Sequence, residues 1–247
     1  MNKYIKLERD ELFPALIKDL GLKIGIEIGV REGYHSLHLL QKTKIKLYGI
    51  DIKYDPRVEE AKSYNERYTY ILKSSEESHI LFDNNFFDFI YIDANHTAEE
   101  VYKDLIMWWP KLKTGGIFAG DDYLDLLNPA EGRYGVPYAV ETFSKEISKD
   151  VFISGKGYIP VKDRLEYAKT LGKKHEDNLF LKFHKYIPLP ESYIRGRVIT
   201  ENIPIPQWII YKNDSEHTYV SNLNFKIPVE TTTDKIIYNE EKWWRKE

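Results

Sequence analysis

Apolar positions in the first 155 residues follow two alternating rhythms. Leu12, Leu16, Ile17 and Leu20 are spaced as one face of a helix over residues 7–20, with Pro14 early in it and Gly21 as its stop. Residues 23–28 form a short apolar run entering Gly29, and a helix is expected from 34 to 42. Residues 46–51 read as a second strand, followed by Asp55-Pro56, a pair suited to an N-cap and first helical position. Residues 69–72 and 86–93 give a third and a fourth strand. Thr97 and Glu100 have capping-box spacing, and Ala98, Val101, Leu105 and Trp108 then line one helical face. Pro110 and Gly115-Gly116 end that unit, 117–120 is a fifth strand, 140–147 a helix and 151–154 another strand. Strand and helix alternating in units of roughly 25 to 30 residues predict an α/β fold with a parallel sheet and right-handed crossovers.

Beyond Gly155 the rhythm fails. Residues 207–212 read as a strand and 218–220 as a second candidate, but 156–204 mix Lys, Gly, Pro and Tyr without a period. A stretch this long is expected to act as a lid over a site or to be disordered. One domain is expected: an N-terminal helix (1–20), a core (21–155), an insertion or lid (156–204), and the last strands with a tail (205–247). No apolar run is long enough for a bilayer span, and the N-terminus lacks the apolar stretch of a secretory signal. A net charge of −3 gives no global reason to expect nucleic acid. The absence of Cys removes disulfides, thiolate metal sites and Cys nucleophiles, and fits a cytoplasmic setting.

The candidate chemistry lies where apolar runs end in acids. Ile92-Asp93-Ala94-Asn95-His96 and the run from Gly115-Gly116 to Asp121-Asp122-Tyr123 bring three carboxylates and an imidazole to two strand ends, where ligands of open α/β sheets collect. The first turn, Gly25-Ile26-Glu27-Ile28-Gly29-Val30-Arg31-Glu32-Gly33, has its glycines four apart and is not G-x-G-x-x-G. Two carboxylates there, Glu27 and Glu32, would repel a pyrophosphate and suit a cationic ligand. Asp51 ends the second strand at the distance from Gly29 where an acid commonly accepts ribose hydroxyls. The set fits a nucleoside carrying a positive centre, against the plainer reading of a turn glycine and a capping acid.

In these residues the chain resembles the class I S-adenosylmethionine-dependent methyltransferases. Glu27-x-Gly29-x-x-x-Gly33 is similar to their first motif and Asp51 to their ribose-binding acid. Tyr91 to His96, Asp104, Trp108-Trp109-Pro110-Lys111-Leu112-Lys113, Gly115-Gly116 to Tyr123, and Gly135-Val136 with Ala139-Val140 and Phe143 resemble a bacterial subgroup, the methyltransferase domain 24 type. That group is related to sugar O-methyltransferases and cephalosporin-hydroxylase-like proteins, and the likeness spans about residues 20–155. The resemblance implies a Rossmann-like, doubly wound, seven-stranded, mostly parallel sheet with an insertion before the last strands. It implies S-adenosylmethionine as cofactor, with Glu27, Gly29 and Gly33 on its methionine side, Asp51 at the ribose, Ser74 and Ser75 near the adenine, and Asp93 between donor and acceptor. It further implies methylation of a hydroxyl on a sugar, glycan or other small polyol-like acceptor.

Metal-dependent members of the wider fold carry acids at positions matching Asp93, Asp121 and Asp122. All-oxygen ligands suit Mg2+ or Ca2+, with Mn2+ also admitted. The alternative for Asp121-Asp122 is a solvated turn-capping pair. His96 is the candidate general base, by its near-neutral intrinsic pKa, against a histidine that only bonds a nearby carboxylate. His35 and His38 read as a surface face rather than a ligand pair, while Tyr123, Arg133 and Tyr134 lie where an acceptor would be contacted. Two alternatives stay open: a hydroxylase-like or N-methylating relative, and a non-enzymatic nucleoside-binding or interaction domain. Homo-oligomerisation is also left open.

Overall fold

The structure, a computed structural model, describes residues 2–5, 7–123, 125–128, 132–154, 207–213 and 229–232, with the backbone alone at 2–4, 125–128, 132–134 and 229–232. The lid segment 156–204, the strand expected at 218–220 and most of the tail lie outside the described residues.

The expected units follow in order: α1 (Arg9–Asp19), β2 (Ile24–Ile28), α2 (Tyr34–Lys42), β3 (Lys46–Asp51), α3 (Glu59–Lys62), β4 (Tyr68–Leu72), α4 (Ser75–His79), β5 (Phe87–Ile92), α5 (Ala98–Trp108), β6 (Leu112–Gly120), α6 (Val136–Glu146), β9 (Phe152–Ser154) and β10 (Gln207–Tyr211). Four short strands lie outside the periodic pattern of the sequence: β1 (Asn2–Ile5), the hairpin β7 (Asp125–Asn128) and β8 (Gly132–Gly135), and β11 (Val229–Thr232). Seven strands form the expected doubly wound core in the order β9-β10-β6-β5-β2-β3-β4, and β1 and β11 extend it beyond β9. β2 to β6 are mutually parallel, whereas β10 runs antiparallel to both its neighbours.

Alternation along the strands builds two cores. Ile90 and Ile92 face α5 and α6, where Val101, Leu105, Trp108, Val140 and Phe143 cover them. Phe89 and Tyr91 face α1 and α2, with Leu12, Phe13, Leu16, Ile17, Leu39 and Leu40. Both faces being covered explains why these strands read as near-continuous apolar runs.

Two local expectations are corrected. Thr97 begins α5 but makes no side-chain cap bond; its N–H donates to Asn95 Oδ1 at 2.8 Å. The capping box forms instead at α4, where Ser74 Oγ accepts from the Glu77 N–H at 3.1 Å and Glu77 Oε2 accepts from the Ser74 N–H at 3.0 Å. Gly115-Gly116 does not break the sixth strand. β6 starts at Leu112 and passes through the pair, with a register irregularity opposite Phe87 and Phe89, Gly115 at φ 86°, and no room for a Cβ at Gly116, 2.8 Å from the Asp88 carbonyl oxygen. Among the described residues no helix is long and apolar enough to cross a membrane.

Candidate active site at the sheet switch point

The chain runs outward from β2 through β3 to β4, then returns to β5 on the other side of β2. A crevice is expected outside the carboxyl ends of β2 and β5, where the winding reverses. The two strand ends meet there closely. The Asp93 N–H donates to the Ile28 carbonyl at 2.7 Å. Gly29, at φ 88°, lies so near that an added Cβ would stand 1.9 Å from the Asp93 carbonyl oxygen. Gly29 is therefore required by two approaching backbones as well as by the turn. Gly33, at φ 81°, occupies the N-cap of α2, with Val58 3.2 Å from where its Cβ would be.

Asp51, at the end of β3, points back at this turn. Its Oδ2 accepts from the Arg31 N–H at 2.6 Å and its Oδ1 from the Lys53 N–H at 2.9 Å. The backbone thus fixes a half-buried carboxylate beside the glycine turn, with Ile52 next to it 69% exposed.

The two acids of the first turn do not form the free negative pair expected of them. Glu27 is buried against α2 and accepts a hydrogen bond from Ser36 Oγ. Burial pushes its carboxyl up to about 8, against the pull of Ser36, so it is largely neutral at pH 7. Glu32 pairs with Arg57 at 2.7 Å. Ser74 caps α4, and Ser75 is taken up by packing: its hydroxyl donates to Asp104 Oδ1 and accepts from Trp108 Nε1 at 2.7 Å, which ties α4 to α5.

On the other side of Asp93 lies the acidic group. His96 Nε2 stands 2.8 Å from Asp122 Oδ2 and 3.4 Å from Asp93 Oδ1. Asp93, His96 and Asp122 each bring one ligand-type atom within 4.8 Å of the others. Burial disfavours the charged imidazole, but the bond to Asp122 and then that to Asp93 outweigh it and raise His96 to about 10. These bonds favour the protonated ring, a state that works against a general-base role for His96.

Asp121, expected beside Asp122 as a ligand, turns elsewhere. Its Oδ2 accepts from Arg9 Nη1 at 2.8 Å, and its Oδ1 accepts from Gln207 Nε2 at 3.0 Å and from the Asp122 N–H at 2.9 Å. Gln207 is braced in turn by Ser154 Oγ at 3.1 Å. Burial, then the Asp93 and Asp122 carboxylates, raise the Asp121 carboxyl, while Arg9 and Gln207 oppose that rise. Neither Arg9 nor Gln207 carried a sequence signal, because their partner lies more than 80 positions away in both cases.

Other expected contacts change place. Tyr123 is buried, and its hydroxyl bonds Glu141 Oε1 at 3.1 Å. His35 is a core residue rather than a surface one, its ring 4.3 Å from that of Tyr91, and burial keeps it neutral. The side chains of Arg133 and Tyr134 lie outside the described residues.

Residues 26–123, which hold the glycine turn, Asp51 and the whole acidic group, match the family model described as a methyltransferase domain. The chain shares its fold with many solved structures. An O-methyltransferase from Streptomyces achromogenes involved in tomaymycin synthesis, solved in complex with S-adenosylmethionine, superposes with a TM-score of 0.51 at 15% identity, over 83% of this chain and 79% of that one. A protein from Klebsiella pneumoniae assigned as an O-methyltransferase gives a TM-score of 0.50 at 14% identity, over 83% and 80%. A protein from Galdieria sulphuraria assigned as a sarcosine dimethylglycine methyltransferase gives 0.50 at 15%, over 83% and 85%. Among curated proteins none matches this sequence. The chain therefore shares the fold of these proteins, whose names include oxygen and nitrogen methyltransferases alike.

Proposed function

We propose that the protein transfers a methyl group from S-adenosylmethionine to a hydroxyl of a small, polyhydroxylated acceptor. The observation that carries this reading is the double role of Asp93. Its backbone closes on Gly29 at the switch point, and its side chain enters the group with His96 and Asp122. A donor pocket and an acceptor pocket thus share one residue. Asp51, oriented by two backbone N–H groups, would accept the ribose hydroxyls, and exposed Ile52 beside it would lie against the adenine. The neutral state of Glu27 fits a place under the pocket floor, supporting α2, rather than direct contact with a cation. The complex of the Streptomyces achromogenes enzyme supports the choice of cofactor.

S-adenosylmethionine supplies an electrophilic methyl carbon on a sulfonium. With it bound, the residues of the site would hold the acceptor hydroxyl towards that methyl, S-adenosylhomocysteine would be the leaving group, and the hydroxyl proton would need an acceptor. His96, as an imidazolium, orients Asp93 and Asp122 instead of acting as base, so the proton passes to a carboxylate, with Asp93 the candidate. Holding oxygen and methyl carbon in contact is worth as much as ~7–11 kcal/mol of barrier in favourable cases.

The donor set also fits a divalent cation on Asp93, His96 and Asp122, which would lower the pKa of a bound hydroxyl. An imidazole among two carboxylates favours Mn2+ or a later transition ion over Mg2+ or Ca2+. Calorimetry tests the cofactor. The wild-type protein should bind S-adenosylhomocysteine, and Asp51→Ala should weaken that binding about tenfold or more, the scale of one lost charged hydrogen bond. No heat and no thermal shift for wild type at millimolar ligand would reject the methyltransferase reading.

A further inference from the structure

Arg9 is the first residue of α1, a helix anchored in the core by Leu12, Phe13, Leu16 and Ile17, and its guanidinium reaches the acidic group at Asp121. It is the one cation bonded to Asp121 among the described interactions, at 2.8 Å, and its charge also acts on Asp93. Asp121 is buried and already accepts three bonds, from Arg9, Gln207 and the Asp122 N–H. A carboxylate offers about four lone-pair positions, so little of Asp121 is left for a metal. The same carboxylate holds the Asp122 peptide, which lies at φ 52°, and Asp122 in turn reaches His96.

A guanidinium stays charged at any ordinary pH, so this cation does not leave by titration. A metal and Arg9 would then compete for one set of carboxylates in a partly buried setting, where like charges repel strongly. We propose that Arg9 is a built-in cation that holds Asp121 out of the metal-ligand set, so that removing its charge opens a tighter divalent-cation site in which Asp121 joins Asp93, His96 and Asp122. The proposal rests on the reading of this group as the acceptor side of a methyltransferase site, and it assigns Arg9 a positioning and gating role there rather than a catalytic one.

Mn2+ is the probe, with the free ion followed by electron paramagnetic resonance in titrations of the full chain. Arg9→Met should bind Mn2+ about tenfold or more tightly than wild type, since a neighbouring positive charge has gone. Arg9→Lys keeps the charge and should stay near wild type. Arg9→Met combined with Asp121→Asn should lose the gain, because the released carboxylate is no longer there. Arg9→Met leaves Asp121 buried without its counter-charge and should melt lower than wild type, with Mn2+ restoring more stability to it than to wild type. If Arg9→Met does not fold, Arg9→Gln, which keeps a donor but no charge, takes its place in the same titration. Equal or weaker Mn2+ binding by the folded neutral variant, or a gain that survives Asp121→Asn, would overturn the proposal. Titration of the same samples with S-adenosylhomocysteine keeps the two readings apart. Lost Mn2+ discrimination with intact nucleoside binding sinks this inference alone, and absent nucleoside binding in wild type sinks the methyltransferase reading alone.

Discussion

Glu27 shows how a single residue changes meaning between sequence and structure. Its place in a strand–turn–helix motif suggested a charge at the cofactor, but strand alternation turns it away from the Ile26 and Ile28 face and under α2, beside Ser36. Burial raises its carboxyl from 4.5 to about 8, so over that pH range the unfolded chain has released a proton that the native protein keeps. Stability contributed there falls as pH rises, and Glu27→Gln, which mimics the neutral acid, should be more stable than wild type at pH 8–9 by chemical denaturation. A wild-type-like or lower midpoint at that pH would show that Glu27 is ionised and compensated. Gly29 has no such latitude. Gly29→Ala meets the Asp93 carbonyl and a positive φ together, and should cost about 3 kcal/mol or more, read as a loss of soluble or cooperatively melting protein. The glycine was visible in the sequence as a turn residue. The second strand end pressing on it was not.

Elements were readable wherever local periodicity was long, and less so at their ends. α1 holds Pro14 at an interior position, where it has no N–H for the Asp10 carbonyl. That carbonyl is bonded instead by His38 Nε2 of α2 at 2.9 Å, which requires the ring to carry its proton on that nitrogen. His38 is thus a helix-to-helix tie, a use that its sequence spacing to His35 could not reveal. His38→Ala should cost about 1 kcal/mol in unfolding free energy, and less in a Pro14→Ala background, where the helix regains its own bond. Equal costs in both backgrounds would mean that the tie contributes nothing. The capping box misassigned to Thr97 and found at Ser74 carries the same lesson: the spacing of Ser or Thr to Glu is common, and loop geometry upstream, here Asn95 taking the Thr97 N–H, decides which copy closes.

At the scale of the whole molecule, the raised groups all act in one direction. His96, held at about 10 by Asp122 and Asp93 against an ordinary value of 6.5, adds stability that is full below pH 6.5 and lost as pH rises through 10. Glu27 and Asp121 also retain protons longer in the native state. Above the range in which buried His35 acts in the opposite sense, the ion-free protein should therefore lose stability between about pH 7 and 10, and His96→Gln should flatten the upper part of that slope. A stability flat across this range in wild type would contradict the His96 ion pairing. The sequence by itself determined the alternation of strand and helix and the strand ends at which chemistry collects, because these follow from short-range periodicity and turn residues, while the seven-stranded core came from the family resemblance. Only the tertiary structure decided which acids share that chemistry. Asp121 and Asp122 are neighbours in sequence with the same side chain, yet one faces Arg9 and Gln207 and the other His96. That division depends on α1 and β10 arriving from opposite ends of the chain, and no local pattern encodes the meeting of groups so far apart.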